Sequence, residues 1–182
     1  YEANDTLNKT RVEVQAAYDA IIDETAAKWP AGAAEAAKAA VAAKLADMKQ
    51  NELDALTPAK GDSIWSGVIA PVVQEMQGDA AKAATTAAVK AAVEGVTSVN
   101  AATGDAATVR NAIATSVQSA GNAAGNTAGD TTNNYNYSVD LGDSYTAIES
   151  GSIGTITCTV TVTGSTINEI VVTLDVTVEV NA

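Results

Sequence analysis

The segment Ile156–Thr163 reads I-T-C-T-V-T-V-T and the segment Ile170–Val180 reads I-V-V-T-L-D-V-T-V-E-V, with Gly164-Ser165 opening the interval between them. Every even position is apolar: Ile156, Cys158, Val160 and Val162, then Ile170, Val172, Leu174, Val176, Val178 and Val180. The odd positions are mostly Thr, Asp or Glu. Alternation with a period of two among β-branched residues marks a strand with one dry face and one wet face. Two such strands around a Gly-containing turn predict a hairpin. A lone hairpin is marginal in water, so this face needs a cover. Ile156, Cys158, Val160, Val162, Val172, Leu174, Val176 and Val178 are therefore expected to form a core face or an assembly face.

Working toward the N-terminus, Tyr135, Tyr137, Val139 and Leu141 alternate and predict a further strand, and Tyr145 to Ile148 a short one. Residues 121–134 are Gly, Asn, Ala, Thr and Asp without periodicity, which reads as a linker or long exposed loop. Before it the pattern is helical. Leu7, Arg11, Val14, Tyr18, Ile21 and Thr25 recur at four- and three-residue steps and predict a helix from Asp5 to Lys28, capped by Asn4 or Asp5 and ended by Trp29-Pro30. A second, Ala-rich helix is expected over 33–56, antiparallel to the first. Pro71 lies within the apolar run 63–77 and predicts a kink or two short helices. Gly-Asp recurs at 61–62, 78–79 and 104–105, a helix exit followed by an N-cap, and predicts separate helices over 79–96 and 105–119. The fold class that follows is α+β: Ala-rich antiparallel helices over 1–120, a linker over 121–134, and a C-terminal antiparallel sheet over 135–182.

Lys and Arg number 10 against 22 Asp and Glu, a net charge of −12. No basic face exists to displace phosphate counterions, which excludes nucleic acid as an expected partner. Beyond Arg110 the charged residues are all acids: Asp130, Asp140, Asp143, Glu149, Glu169, Asp175 and Glu179. His is absent and Cys158 is the single cysteine. Nucleophilic and zinc chemistries thus lack their usual parts, and neither enzyme activity, nor a cofactor, nor a metal is expected. Asp140, Asp143 and Glu149 cluster near a glycine but do not have the helix-loop-helix calcium spacing, so they read as solvated turn acids. So do the paired acids Asp23-Glu24 and Glu52/Asp54 on their helices. Asn4, Asn8 and Asn136 begin Asn-x-Thr or Asn-x-Ser triplets, which would accept glycan in an exported protein.

The order of an amphipathic helix over Asp5–Lys28 and a terminal antiparallel sheet over Tyr135–Val180 resembles the headpiece of type IV pilin-like subunits of surface filaments. The paired-Cys loop of bacterial members is absent, as it often is in archaeal ones. The resemblance implies that helix 1, through Leu7, Val14, Tyr18, Ile21 and Ile22, packs under the valine face. It also implies an apolar spine or membrane anchor upstream of Tyr1 and a homopolymer on the cell surface. The expected function is an exported structural subunit of a surface filament or cell-envelope assembly, polymerising through apolar helix or strand faces. Two alternatives are an extracytoplasmic ligand-binding helical sensor, with Trp65 and Met76 at its site, and a virion or phage fibre component.

Overall fold

The computed structural model describes residues 2–182 and shows an α+β protein, with five α-helices among those residues and a four-stranded sheet. The chain divides into two compact units, the first ending at Ala80 and the second beginning at Ala81. That replaces the expected division at 120.

The first unit holds α1 (Glu2–Thr25), a 3₁₀ turn (Ala26–Lys28), α2 (Ala33–Ala46), α3 (Gln50–Asp54), a π-helical turn (Trp65–Ile69) and the start of α4 (Ala70–Glu94). Asn4 and Asp5 lie inside α1 rather than capping it. The helix expected over 33–56 is broken. Arg11 of α1 donates to the carbonyls of Leu45 (3.1 Å), Ala46 (3.0 Å) and Met48 (2.9 Å), satisfying the orphan acceptors where α2 ends. Glu52 then accepts the Lys49 N–H at 2.7 Å and starts α3. Gln15 reaches the Lys38 carbonyl and Lys38 pairs with Asp23 at 2.7 Å, so α1 and α2 run antiparallel, as expected. Their contact buries Tyr18, Ile22, Ala37, Val41 and Leu45, together with Leu53, Ile64, Ile69 and Val73. Before Pro71 the helix widens into the π turn, with the Ala70 N–H donating to the Trp65 carbonyl. A proline ring clashes with the carbonyl four residues back and offers no N–H, and one wide turn accommodates both defects.

The Gly-Asp pairs behave differently from one another. Gly61 takes φ +93° and Asp62 Oδ1 accepts the Trp65 N–H at 2.7 Å; Asp105 caps its helix by accepting from Ala107 and Thr108, each at 3.0 Å. At Gly78-Asp79, α4 runs straight through, against expectation. Gly78 is exposed with no positive φ, and an exposed helical glycine costs only about 1 kcal/mol, too little to end a helix packed at both ends.

The second unit adds β1 (Ser98–Ala101), α5 (Ala106–Thr127), β2 (Tyr135–Asp140), β3 (Ile153–Gly164) and β4 (Ile170–Val180). Strand order is β1-β4-β3-β2. β3 pairs antiparallel with both β2 and β4, as the expected sheet requires, whereas β1 joins β4 in parallel, so the sheet is mixed. Tyr145–Ile148 forms no strand, only an isolated bridge from Ile148 to Gly104. The hairpin register pairs Cys158 with Leu174, Val160 with Val172 and Ile156 with Val176, so the even residues share one face.

That face is covered by Val109, Ile113 and Val117 of α5 and Val89 and Val93 of α4, all fully buried. Each such side chain contributes about 1.5–3 kcal/mol on burial. The expected cover, helix 1, belongs to the other cluster: Tyr18 and Ile22 are buried against α2. Residues 121–127 are not linker but the last two turns of α5. Gly121 and Gly125 continue the four-residue stripe of Val109, Ile113 and Val117 and are buried. A Cβ on Gly125 would lie 2.5 Å from Tyr135 Oη, and one on Gly121 would collide with Tyr137 Oη. The glycines are what let α5 lie against the two tyrosines of β2.

Asp130 locks this corner. Its carboxylate accepts from the Thr132 hydroxyl (2.6 Å), the Thr132 N–H (3.0 Å) and the hydroxyls of Tyr135 and Thr166, while its own N–H donates to the Gly125 carbonyl at 2.9 Å. The Thr132 hydroxyl first, then those of Thr166 and Tyr135, hold its pKa well below the usual carboxylate range. Burial, then the Asp130 hydrogen bond, pushes Tyr135 up to about 12.

Gly121→Ala is expected to cost about 1–3 kcal/mol by overpacking, and Tyr137→Phe in the same chain should recover part of it. Equal losses with and without Tyr137→Phe in a urea double-mutant cycle would refute the close-approach account. Because the folded pKa of Asp130 lies below its unfolded value, its ionised form stabilises the fold above the ordinary carboxylate range, and this is lost as pH falls below about 4. Asp130→Asn should therefore lower Tm at neutral pH and make the decline of Tm below about pH 4 shallower than in the parent. An unchanged acid slope would contradict this role.

Candidate assembly surface

The residues proposed from sequence as a core or assembly face are core. Cys158, Val160, Val162, Val172, Leu174, Val176 and Val178 are each at most 6% exposed, and Ile156 is half-buried against the same cluster. An assembly built on the apolar strand face is thereby overturned: the chain's own helices already occupy it. Cys158 is a free buried thiol, pushed up by burial and then by the charge of Asp175, as suits an inert packing residue.

The opposite face of the sheet carries Thr155, Thr157, Thr159, Thr161 and Thr163 from β3 and Val171, Thr173, Asp175, Thr177 and Glu179 from β4, exposed or half-exposed. The Thr157 hydroxyl donates to Asp175 at 2.6 Å. Across strands Thr155 faces Thr177 and Thr159 faces Thr173. The large apolar side chains that remain on the surface of the sheet, Ile153 at 67% and Val171 at 57% exposed, both lie here.

The edges follow from strand lengths. The Val180 N–H donates to the carbonyl of Ser152, just before β3, at 3.0 Å, and the Thr177 N–H donates to Thr97 on the β1 side at 2.9 Å. Both backbone groups of a residue in an antiparallel ladder point to one side, and successive residues alternate. Even residues of β3 and β4 therefore bond each other; odd residues of β3 point toward β2 and odd residues of β4 toward β1. β2, however, pairs only with Thr159–Gly164, and β1 only with Thr177–Val180. The N–H and C=O groups of Ile153, Thr155 and Thr157 on one side, and of Val171, Thr173 and Asp175 on the other, meet no strand. Among the described residues no loop backbone or side chain bonds them either. Beside Thr155 and Thr157 lies a cleft of about 310 Å³, floored by Leu141, Tyr145, Ile148 and Ile156. The Tyr145 hydroxyl and the Ile148 N–H both bond Gly104, at 2.7 and 3.1 Å. They anchor the 141–152 connection, whose Ser144 and Thr146 also line this cleft beside Thr155 and Thr157.

The remaining sequence candidates are dispersed. Asn4, Asn8 and Asn136 are all exposed, the last on the outward side of β2. Asp140 accepts the Gly142 N–H at 2.8 Å, a turn bond. No three of His, Cys, Asp and Glu gather to hold a metal among the described residues, so Asp140, Asp143 and Glu149 do not converge. In the first unit Trp65 packs on Trp29 with ring centroids 6.1 Å apart, and Lys60 lies 5.8 Å from its ring; Met76 lies against Gly32. No helix among the described residues is long and apolar enough to cross a membrane. The open edges went unread in the sequence because strand pairing extents are not written in any local pattern. The one available signal was the mismatch in length between the Tyr135 strand and the Ile156 strand.

No protein-family model matches this chain, and no curated protein and no solved structure matches it.

Proposed function

We propose that this chain is an exported structural subunit of a surface filament or cell-envelope assembly, one that self-associates through its sheet. The observation that carries the reading is a sheet whose two longest strands each leave half of an edge unpaired. Bare N–H and C=O rows are templates for another strand, and stable monomers blunt them with lysine, proline, bulges or a covering loop. Neither lysine nor proline appears at Ile153–Thr157 or Val171–Asp175, where Asp175 is the one charged side chain. The exposed acceptor triplets at Asn4, Asn8 and Asn136 fit an exported, glycan-bearing surface protein. The pilin-like layout is kept only as a class of assembly, because in this chain α5, not the leading helix, lies under the sheet.

The full-length native protein should form polymers whose mean mass rises with concentration in light scattering, visible as elongated particles by negative-stain electron microscopy. Strictly monomeric scattering at high concentration and in raised salt would overturn the proposal.

A further inference from the structure

We propose that the cleft between the β3 edge and the 141–148 connection is a binding site for a single neutral sugar ring. The inference goes beyond self-association and does not depend on it. The cleft holds about 310 Å³, at the small end of the range for ligand pockets. The β3 edge at Thr155 and Thr157 forms one wall, and the connection supplies Ser144 and Thr146. Because the connection already stands beside this edge, the cleft has no room for an added strand, and its occupant has to be compact. The connection is also held in place. The Tyr145 hydroxyl and the Ile148 N–H both end on the Gly104 carbonyl. A Cβ on Gly104 would collide with the Ile148 backbone, and one on Gly154 would come within 2.8 Å of Ile148 Cδ1. A site built beforehand loses little to ordering when a ligand enters.

Three observations set the chemistry of the occupant. The first is the edge. Pairing with β2 stops at Thr159, and odd residues of β3 point to that side. The N–H and C=O of Thr155 and of Thr157 therefore face the connection, and no backbone or side chain of the described residues bonds them. Each residue sets a donor beside an acceptor. Adjacent hydroxyls of a pyranose meet such a pair, one accepting from the N–H and its neighbour donating to the C=O, because a hydroxyl does both. The exposed hydroxyls of Ser144 and Thr146 add partners that rotate to suit. The second observation is charge. No charged side chain lines the cleft. Asp140 and Asp143 flank Leu141, and no cation follows Arg110, so an anion would meet repulsion and no counter-charge. No three of His, Cys, Asp and Glu gather to hold a metal among the described residues. The third is the floor. Leu141, Ile148, Ile156 and the Tyr145 ring are apolar surfaces, fit to receive the C–H face of a ring whose hydroxyls bond the edge.

The test is an amide NMR titration of the isotope-labelled full-length protein, kept dilute and monomeric. Glucose, galactose, mannose and N-acetylglucosamine are added one at a time. Glucuronate serves as the anionic control and a blocked alanine dipeptide as the peptide control. At least one of the four neutral sugars should shift the Thr155 and Thr157 amide resonances saturably and slow their hydrogen exchange several-fold. Val171, Thr173 and Asp175, equally free of strand partners on the far edge, should not change. Thr155→Pro removes one donor without breaking a ladder bond, which an edge position tolerates, and should abolish the shift at Thr157. Ser144→Trp places a large ring at an exposed position of the cleft and should abolish it too, with circular dichroism matching the parent. No saturable shift with any of the four sugars would overturn the proposal. So would tighter binding of glucuronate or of the blocked dipeptide, or equal changes at the two edges. The readout is taken on the monomer, so a failure of sugar binding is distinguishable from a failure of assembly.

Discussion

Everything in the second unit depends on one burial: the even-numbered face of β3 and β4 against the stripe Val109, Ile113, Val117, Gly121 and Gly125 of α5. The sheet residues are mostly valine, short and β-branched, and there is no phenylalanine in the chain. Small side chains bury enough surface only if the two layers approach closely. Glycine supplies that approach where β2 brings its tyrosines under the helix, and alanine supplies it elsewhere. The Asp130 carboxylate then ties the end of α5 to β2 and to the turn between β3 and β4. A sheet sealed this way on one face has no apolar face left to offer a partner.

What it offers is its edges. Two strands of 12 and 11 residues are flanked by strands of 6 and 4, placed at opposite corners. The unequal lengths leave backbone groups at Ile153–Thr157 and Val171–Asp175 that no strand pairs. The outer face of these strands is rich in threonine and its charged residues are acids.

The hairpin was legible because its signal is local: ten even positions, all apolar, with threonine between them. The antiparallel α1–α2 pair and the caps at Asp62 and Asp105 were legible for the same reason. Three things were not. The last turns of α5 look like linker because Gly121, Asn122, Gly125 and Asn126 have poor helix propensity, and only the tyrosines of β2, distant in sequence, make glycine the right residue there. β1 is four residues long, too short for any period, and exists because β4 offers it a ladder. The identity of the helix covering the valine face is a tertiary choice: Leu7, Val14, Tyr18 and Ile22 are as apolar as the α5 stripe, but α2 claims them through Arg11, Gln15 and Lys38. The candidate surface was the least legible of all, since the residues singled out proved to be core and the edges were set by where neighbouring strands stop.

Residue-resolved amide hydrogen exchange on dilute, monomeric protein tests the central claim most directly. The sealed face with half-open edges requires exchange to alternate with residue parity. The N–H groups of Thr155, Thr157, Val171, Thr173 and Asp175 should exchange rapidly, while those of Ile156, Cys158, Val172, Leu174 and Val176, one residue away in the same strands, should be strongly protected. Uniform protection along both strands would mean that the edges are covered within the monomer. Uniformly fast exchange would mean that the valine face is not sealed, and either result would contradict the account.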